Sequence, residues 1–221
     1  MYLKYIFGKS FKPKKEDMKN TDTLNYNAVK HYSNTLLSNE IKNDSKRMTK
    51  KAFGLLLAIC LKTGIRVSDL LVLKYSSFTE NKIHPNTYLL EYAVKKSKTT
   101  NTLPIGHELM HQVNVYRAEC LNTYGFTSDF IFYNYTYNKV YSRVWASNQV
   151  SKANKQGLLG EIVNVAGLHS IRKTSAINLF DRTNDLKLVS KFLTHKNILT
   201  TSNYLQDTKK NTEDKLRELL C

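Results

Sequence analysis

Cysteine, proline and tryptophan are rare in this 221-residue chain, at three, three and one, and acidic residues number 18 against 34 lysines and arginines. Each shortage excludes something. Cys60, Cys120 and Cys221 are odd in number, widely spaced and without a Cys-x-x-Cys pair. That argues against a disulfide framework or a zinc knuckle and fits a reducing compartment. Long apolar runs are missing too: the longest, Ala52 to Leu61, contains Gly54 and is far too short to span a bilayer. The N-terminal lysines are followed by no apolar segment or small-residue cleavage site, and there is no lipidation signal or basic helix with a rich apolar face. An intracellular protein with no membrane partner is expected. The shortage of acid leaves a net charge of +16, an excess that points to a polyanionic partner.

What is present is an ordinary apolar content of 41%, enough for a globular core. Residues 1–20 are basic and polar, hold Pro13 and keep no period, so they read as an arm or linker. Leu24, Val29, Leu36 and Leu37 predict a helix over 23–37, capped by Thr21 or Asp22. Residues 39–49 read as a polar turn, and 50–64 as a buried helix stopped by Gly64. A helix starting at Ser68 or Asp69 follows, running to Tyr75. Three strands are expected at 78–83, 88–94 and 102–105, the last two joined across Lys96–Asn101. Helices are expected at 108–124, 138–153 (with Val140, Val144 and Trp145 in the core), 170–181, 186–193, 200–205 and 211–220. The fold class is mainly α (α+β), with one small three-stranded antiparallel sheet.

Chemistry concentrates in residues 169–204, where His169 and Arg172 are one helical turn apart and His195 and Tyr204 follow. Arg66 sits between two helices upstream, and Lys96 and Lys98 lie in the hairpin. Such a set suits metal-free attack on a phosphodiester. Guanidinium groups grip the oxygens that gain charge in the transition state, and imidazoles add donors. A tyrosine can attack and store the bond energy covalently, while a lysine protonates the leaving oxygen. Plainer roles compete one residue at a time: Arg66 as a cap or a partner of Asp69, His195 as a helix-end histidine, Tyr204 as one of 14 tyrosines. His107 and His111 are spaced like zinc ligands, but with no third ligand they read as surface histidines. The tyrosine-rich run 133–141 reads as a half-buried strand and turn. Lys46, Arg47, Lys50 and Lys51 form either a solvated helix start or a set of DNA-backbone contacts, to which Lys96 and Lys173 are added.

Taken together, the motifs resemble the catalytic domain of the tyrosine recombinase (phage integrase) family. TGIRVSDLLVL is similar to the family's first-arginine box, with Arg66 as the arginine and Asp69 at the acidic position. GLHSIRKTSAINLF resembles the His-x-x-Arg box (His169, Arg172), and FLTHKNILTTSNYL the closing box (His195, Tyr204). The separations agree: 23 positions from Arg172 to His195 and nine more to Tyr204. Lys98 matches the family's Lys-Thr, whereas Lys96 fits the spacing to Pro104; Lys98 is favoured. Two positions depart from the pattern, Thr194 where glycine usually precedes the histidine and Lys173 where histidine often follows the arginine.

The resemblance covers about residues 25–210 and implies a catalytic domain over 21–208. The 209–221 helix, with leucines at 216, 219 and 220, reads as packing on its own chain or, as the resemblance implies, docking on a neighbouring subunit. The resemblance further implies a site-specific recombinase or integrase acting on double-stranded DNA through a 3′-phosphotyrosine, as a homotetramer, with no metal or nucleotide cofactor. The nearest alternatives are a type IB topoisomerase, which usually has lysine where His169 stands, and a non-catalytic DNA-binding module on the same scaffold. The segment ahead of the catalytic helices is too short for the family's usual core-binding domain, so either an excised domain or a minimal protein with a basic arm is expected.

Overall fold

Helix α2 (Asp44–Thr63) runs through the centre of the computed structural model, which describes residues 22–38, 44–164, 166–195 and 197–206. The expected arm (1–20), the tail helix (209–221) and Thr21 lie outside the described residues. From Ala52 to Leu61 the helix is apolar nearly all round, so it must be enclosed on every side. Helices α1 (Tyr26–Ser38), α4 (His107–Tyr124) and α6 (Leu168–Thr183) enclose it, and Leu55, Leu56, Leu57 and Ile59 are fully buried. Gly54 permits the close crossing of α1. A Cβ there would lie 2.9 Å from Leu36 Cβ, and Ser33 Oγ donates to the Gly54 carbonyl at 2.8 Å.

Two helix starts differ from expectation. Helix α1 begins at Tyr26 because Asn25 Oδ1 accepts the Ala28 N–H at 2.9 Å, so Asn25 caps it and not Asp22. Helix α2 reaches back to Asp44, over residues expected as a turn, because Met48 is needed in the core at 2% exposure. The helix expected from Ser68 to Tyr75 is a single turn, α3 (Val67–Leu70). Pairing across the chain cuts it short: the Ile131 N–H donates to the Leu73 carbonyl at 3.0 Å, and Lys74 bridges to Phe130.

Strands β1 (Phe78–Glu80), β2 (Thr87–Val94) and β3 (Thr99–Gly106) form an antiparallel sheet in the order β1-β2-β3. Leu90, Tyr92 and Val94 alternate inward against exposed Glu91 and Ala93. Val94 pairs with Thr99, so the hairpin turn is Lys95–Lys98, tighter than the expected one. A second hairpin, β4 (Tyr133–Asn134) with β5 (Lys139–Val140), fits the strand-and-turn reading of the tyrosine-rich run.

Helix α5 (Arg143–Lys155) starts five residues later than expected, because β5 takes up Lys139 and Val140 and Ser142 Oγ caps the Trp145 N–H. The shift turns Val144 out to 69% exposure and puts Ala146, Val150 and Ala153 inside. After α6 come α7 (Leu186–Phe192) and α8 (Ile198–Gln206), on a small separate cluster of Ala176, Val189 and Leu193 flanked by Phe192 and Leu205. Cys60 and Cys120 are free and buried, and burial pushes their thiols up to about 12 and about 11. No helix among the described residues is long and apolar enough to cross a membrane.

Candidate active site

The site is built at two helix ends. Helix α2 closes on Gly64, whose φ of +59° and N–H bond to the Cys60 carbonyl (2.8 Å) make a left-handed cap, and Arg66 follows at the start of α3. Helix α7 closes on Thr194, at φ +53°. There the His195 N–H donates to the Ser190 carbonyl and the Thr194 N–H to the Lys191 carbonyl, both at 3.0 Å. These are the paired bonds of a Schellman motif, with threonine where glycine is usual. The cap turns the chain so that His195 leaves the helix toward Arg66.

Arg172 joins the two ends. It is 3% exposed, and its guanidinium donates through Nη1 to the Gly64 carbonyl and through Nη2 to the Leu193 carbonyl, the latter at 2.5 Å. Ser175, one turn further along α6, donates to the Leu61 carbonyl. The His-x-x-Arg helix is therefore bonded to the segments that carry Arg66 and His195. Arg66 adds a direct link, donating from Nη1 to Thr194 Oγ1 at 3.2 Å. Asp69, 2% exposed, accepts the Lys95 N–H at 3.4 Å and ties this turn to the lysine hairpin.

The imidazoles report the charge of the cluster. Desolvation, then Arg172, Arg66, Lys96 and His169, lowers His195 to about 4. Desolvation, then Arg172, Arg66 and Lys173, lowers His169 to about 4. His169 is nonetheless an exposed residue, so its enclosure is one-sided and water screens part of the effect. Both rings are neutral near pH 7 in a field of cations, an arrangement suited to holding an anion. His195 Nδ1 is 2.9 Å from Thr201 Oγ1, so α8 holds one nitrogen of the ring. Thr201 is fully buried in α8, and Tyr204 lies one turn further along that helix; its side chain is outside the described residues. Thr201 and Thr194 are the site residues that motif reading did not assign. No motif marks Thr201, and Thr194 showed only as a departure.

The hairpin lysines separate. Lys96 acts on His195, whereas Lys98 takes the left-handed position of the turn (φ +53°) and is not among the charges felt by either histidine. Of the cations expected on DNA, Lys46 and Lys50 are exposed and Arg47 is half-buried. Lys51 points inward at 6% exposure and pairs with Glu119 Oε1 at 2.6 Å, and Lys173 is 5% exposed; neither is a surface cation. The His107 and His111 rings stack 6.3 Å apart, and no group of three or more metal-ligating side chains occurs among the described residues.

The phage integrase family model matches residues 28–211. No curated protein sequence matches the chain. Among solved structures, the XerH site-specific recombinase bound to a palindromic difH substrate in a post-cleavage complex is 20% identical with a TM-score of 0.69, over 92% of this chain and 55% of that one. A lambda integrase dimer bound to a COC′ core site is 18% identical with a TM-score of 0.58, over 85% of this chain and 48% of that one. The Tn1549 transposon integrase in complex with transposon right end DNA is 14% identical with a TM-score of 0.60, over 90% and 66%. This chain thus spans about half the length of the first two. The shared fold, the family match over most of the chain and the gathering of Arg66, His169, Arg172 and His195 lead to one assignment: the chain belongs to the phage integrase family, the tyrosine recombinases.

Proposed function

We propose that this chain cuts and rejoins double-stranded DNA at a specific sequence, with Tyr204 as the nucleophile. The observation that carries the reading is the convergence of two arginines and two neutral imidazoles through the bonds of Arg172 to the Gly64 and Leu193 carbonyls. In the proposed step the Tyr204 oxygen attacks the scissile phosphorus and gives up its proton to water. The bond to the 5′ oxygen breaks and a 3′-phosphotyrosine forms. Arg66 and Arg172 hold the non-bridging oxygens as charge builds on them, with His169 and His195 as further donors. Lys96 protonates the departing 5′ oxygen; its action on His195 supports it over Lys98. A 5′ hydroxyl from a partner strand reverses the step, so the bond energy is conserved in the tyrosyl ester. Lys46, Arg47 and Lys50 lie on the backbone of the duplex. Exchange between two sites calls for a homotetramer, an assembly that family membership supports.

The test is covalent trapping on a pool of nicked duplexes of random sequence, where the freed short strand diffuses away and leaves the protein attached. Adducts sharing one sequence are expected from the parent chain, and none from Tyr204→Phe, which keeps its DNA affinity. Adducts of Tyr204→Phe would remove the nucleophile assignment, and adducts without sequence preference would point to a topoisomerase-like activity. Lys96→Ala should lose adducts on the ordinary substrate and regain them where sulfur replaces the leaving oxygen, because a thiolate needs no proton to depart.

A further inference from the structure

Thr194 combines two unusual features. A threonine with φ +53° is a rare conformation, because a β-branched side chain crowds the backbone there. Its hydroxyl also accepts a hydrogen bond from the Arg66 guanidinium, at 3.2 Å. Glycine would satisfy the Schellman turn without strain, and it would leave Arg66 unbonded to the turn that carries His195. We propose that Thr194 is a positioning residue, whose hydroxyl anchors the Arg66 guanidinium to the His195 turn and sets the spacing between these two groups. The inference rests on the DNA-cleavage reading above and deepens it.

The chemistry is economical. A guanidinium has five N–H donors, and one spent on Thr194 leaves four for phosphate oxygens. Arginine loses rotamer freedom whenever it grips an anion, and an anchor made before substrate arrives removes part of that loss from the reaction. The threonine oxygen accepts from Nη1, so its own hydrogen can still point to a phosphate oxygen held by Arg66. A link across the site from α3 to the end of α7 also couples the two turns without passing through Arg172, whose bonds go to backbone carbonyls.

The experiment compares the full chain with Thr194→Ser, Thr194→Gly and Thr194→Val. Single-turnover adduct formation, DNA affinity and thermal midpoint are read for each. The substrate is the duplex recovered from the trapping pool. Serine keeps the hydroxyl and should react within about twofold of the parent. Glycine and valine lose it and should slow by about ten- to a hundredfold at saturating DNA, with affinity nearly unchanged. Stability should not follow the same order, since glycine sheds the left-handed strain and melts near the parent while valine keeps the strain and melts lower. A rate that tracks the melting order, or a glycine variant as fast as the parent, overturns the proposal.

A second arm needs no DNA. The drop in midpoint from Thr194→Ser to Thr194→Val should shrink by more than half when Arg66 is already alanine. An equal drop in both backgrounds means that no anchor exists. If the parent forms no adduct at all, the cleavage reading fails, and this cycle still decides whether Thr194 holds Arg66.

Discussion

Two left-handed turns, at Gly64 and Thr194, face each other across Arg172 and meet the same backbone demand in opposite ways. At Gly64 there is no room for a side chain: a Cβ would lie 2.4 Å from the Phe192 ring, which comes from the last turn of α7. At Thr194 a side chain is present in an unfavourable conformation and bonds the arginine that the other turn delivers. The first turn is therefore shaped by packing and the second by polar contact. The carbonyls of Gly64 and Leu193 both end on one guanidinium, so the turns form a single unit although one belongs to the main core and the other to the small cluster. A site assembled this way depends less on any one motif than on the joint between them.

Removing the joint should have the largest effect. Arg172→Ala leaves two buried carbonyls without their donor, at about 1–3 kcal/mol each, and should lower the denaturation midpoint in urea sharply. Arg172→Lys keeps the charge but cannot reach both carbonyls in the same geometry, and should fall between. Parent-like stability in the alanine variant would mean that the turns stand independently.

Gly64→Ala comes next. Left-handed strain and the collision with Phe192 together should cost about 2–4 kcal/mol, read as a fall in thermal midpoint, and Phe192→Leu should recover part of it. Thr194→Gly, the reverse exchange in the other turn, should barely move the midpoint. Similar losses at both positions would erase the distinction between a packed turn and a bonded one.

The smallest effect concerns pH. The first turn delivers Arg66, while the second delivers His195, which titrates. Histidines ordinarily ionise near 6.5, and in the fold His195 and His169 are held down to about 4. The unfolded chain therefore takes up protons first. Stability should decline as pH falls from about 6.5 toward 4 and then level off in this respect. A phosphate among the cations reverses the sign by favouring the charged rings, so DNA binding should take up protons and tighten as pH drops through the same range. Affinity measured from pH 7.5 to 5 checks this. A duplex with a neutral methylphosphonate at the scissile position should show a flatter profile, as should His195→Asn.

Much of this arrangement was legible in the chain. The order of helices and strands followed from periodicity, and the residues that converge at the candidate site, Arg66, His169, Arg172 and His195, from three motifs at fixed separations. Gly64 announced its turn because glycine is the usual left-handed residue. Thr194 did not, since no local signal places a β-branched residue at positive φ; the Schellman bonds that impose it come from the end of α7. Lys51 and Lys173 read as surface cations because a lysine carries no mark of burial, and Glu119, the partner that draws Lys51 inward, is 68 residues away. Val144 was misplaced for a related reason. The β5 pairing claims the residues before α5, and a helix that starts later presents a different face to the core.

Cys60 sits in the last turn of α2, with its carbonyl holding the Gly64 N–H and its thiol 3.9 Å from the Ile65 carbonyl. A thiol kept protonated and out of water reacts with an alkylating reagent only while that turn is briefly open. Its labelling rate is therefore a clock for the breathing of the Arg66 turn, and Cys120 on α4 keeps separate time for the body of the fold. DNA that seats a phosphate against Arg66 and Arg172 should slow the first clock far more than the second.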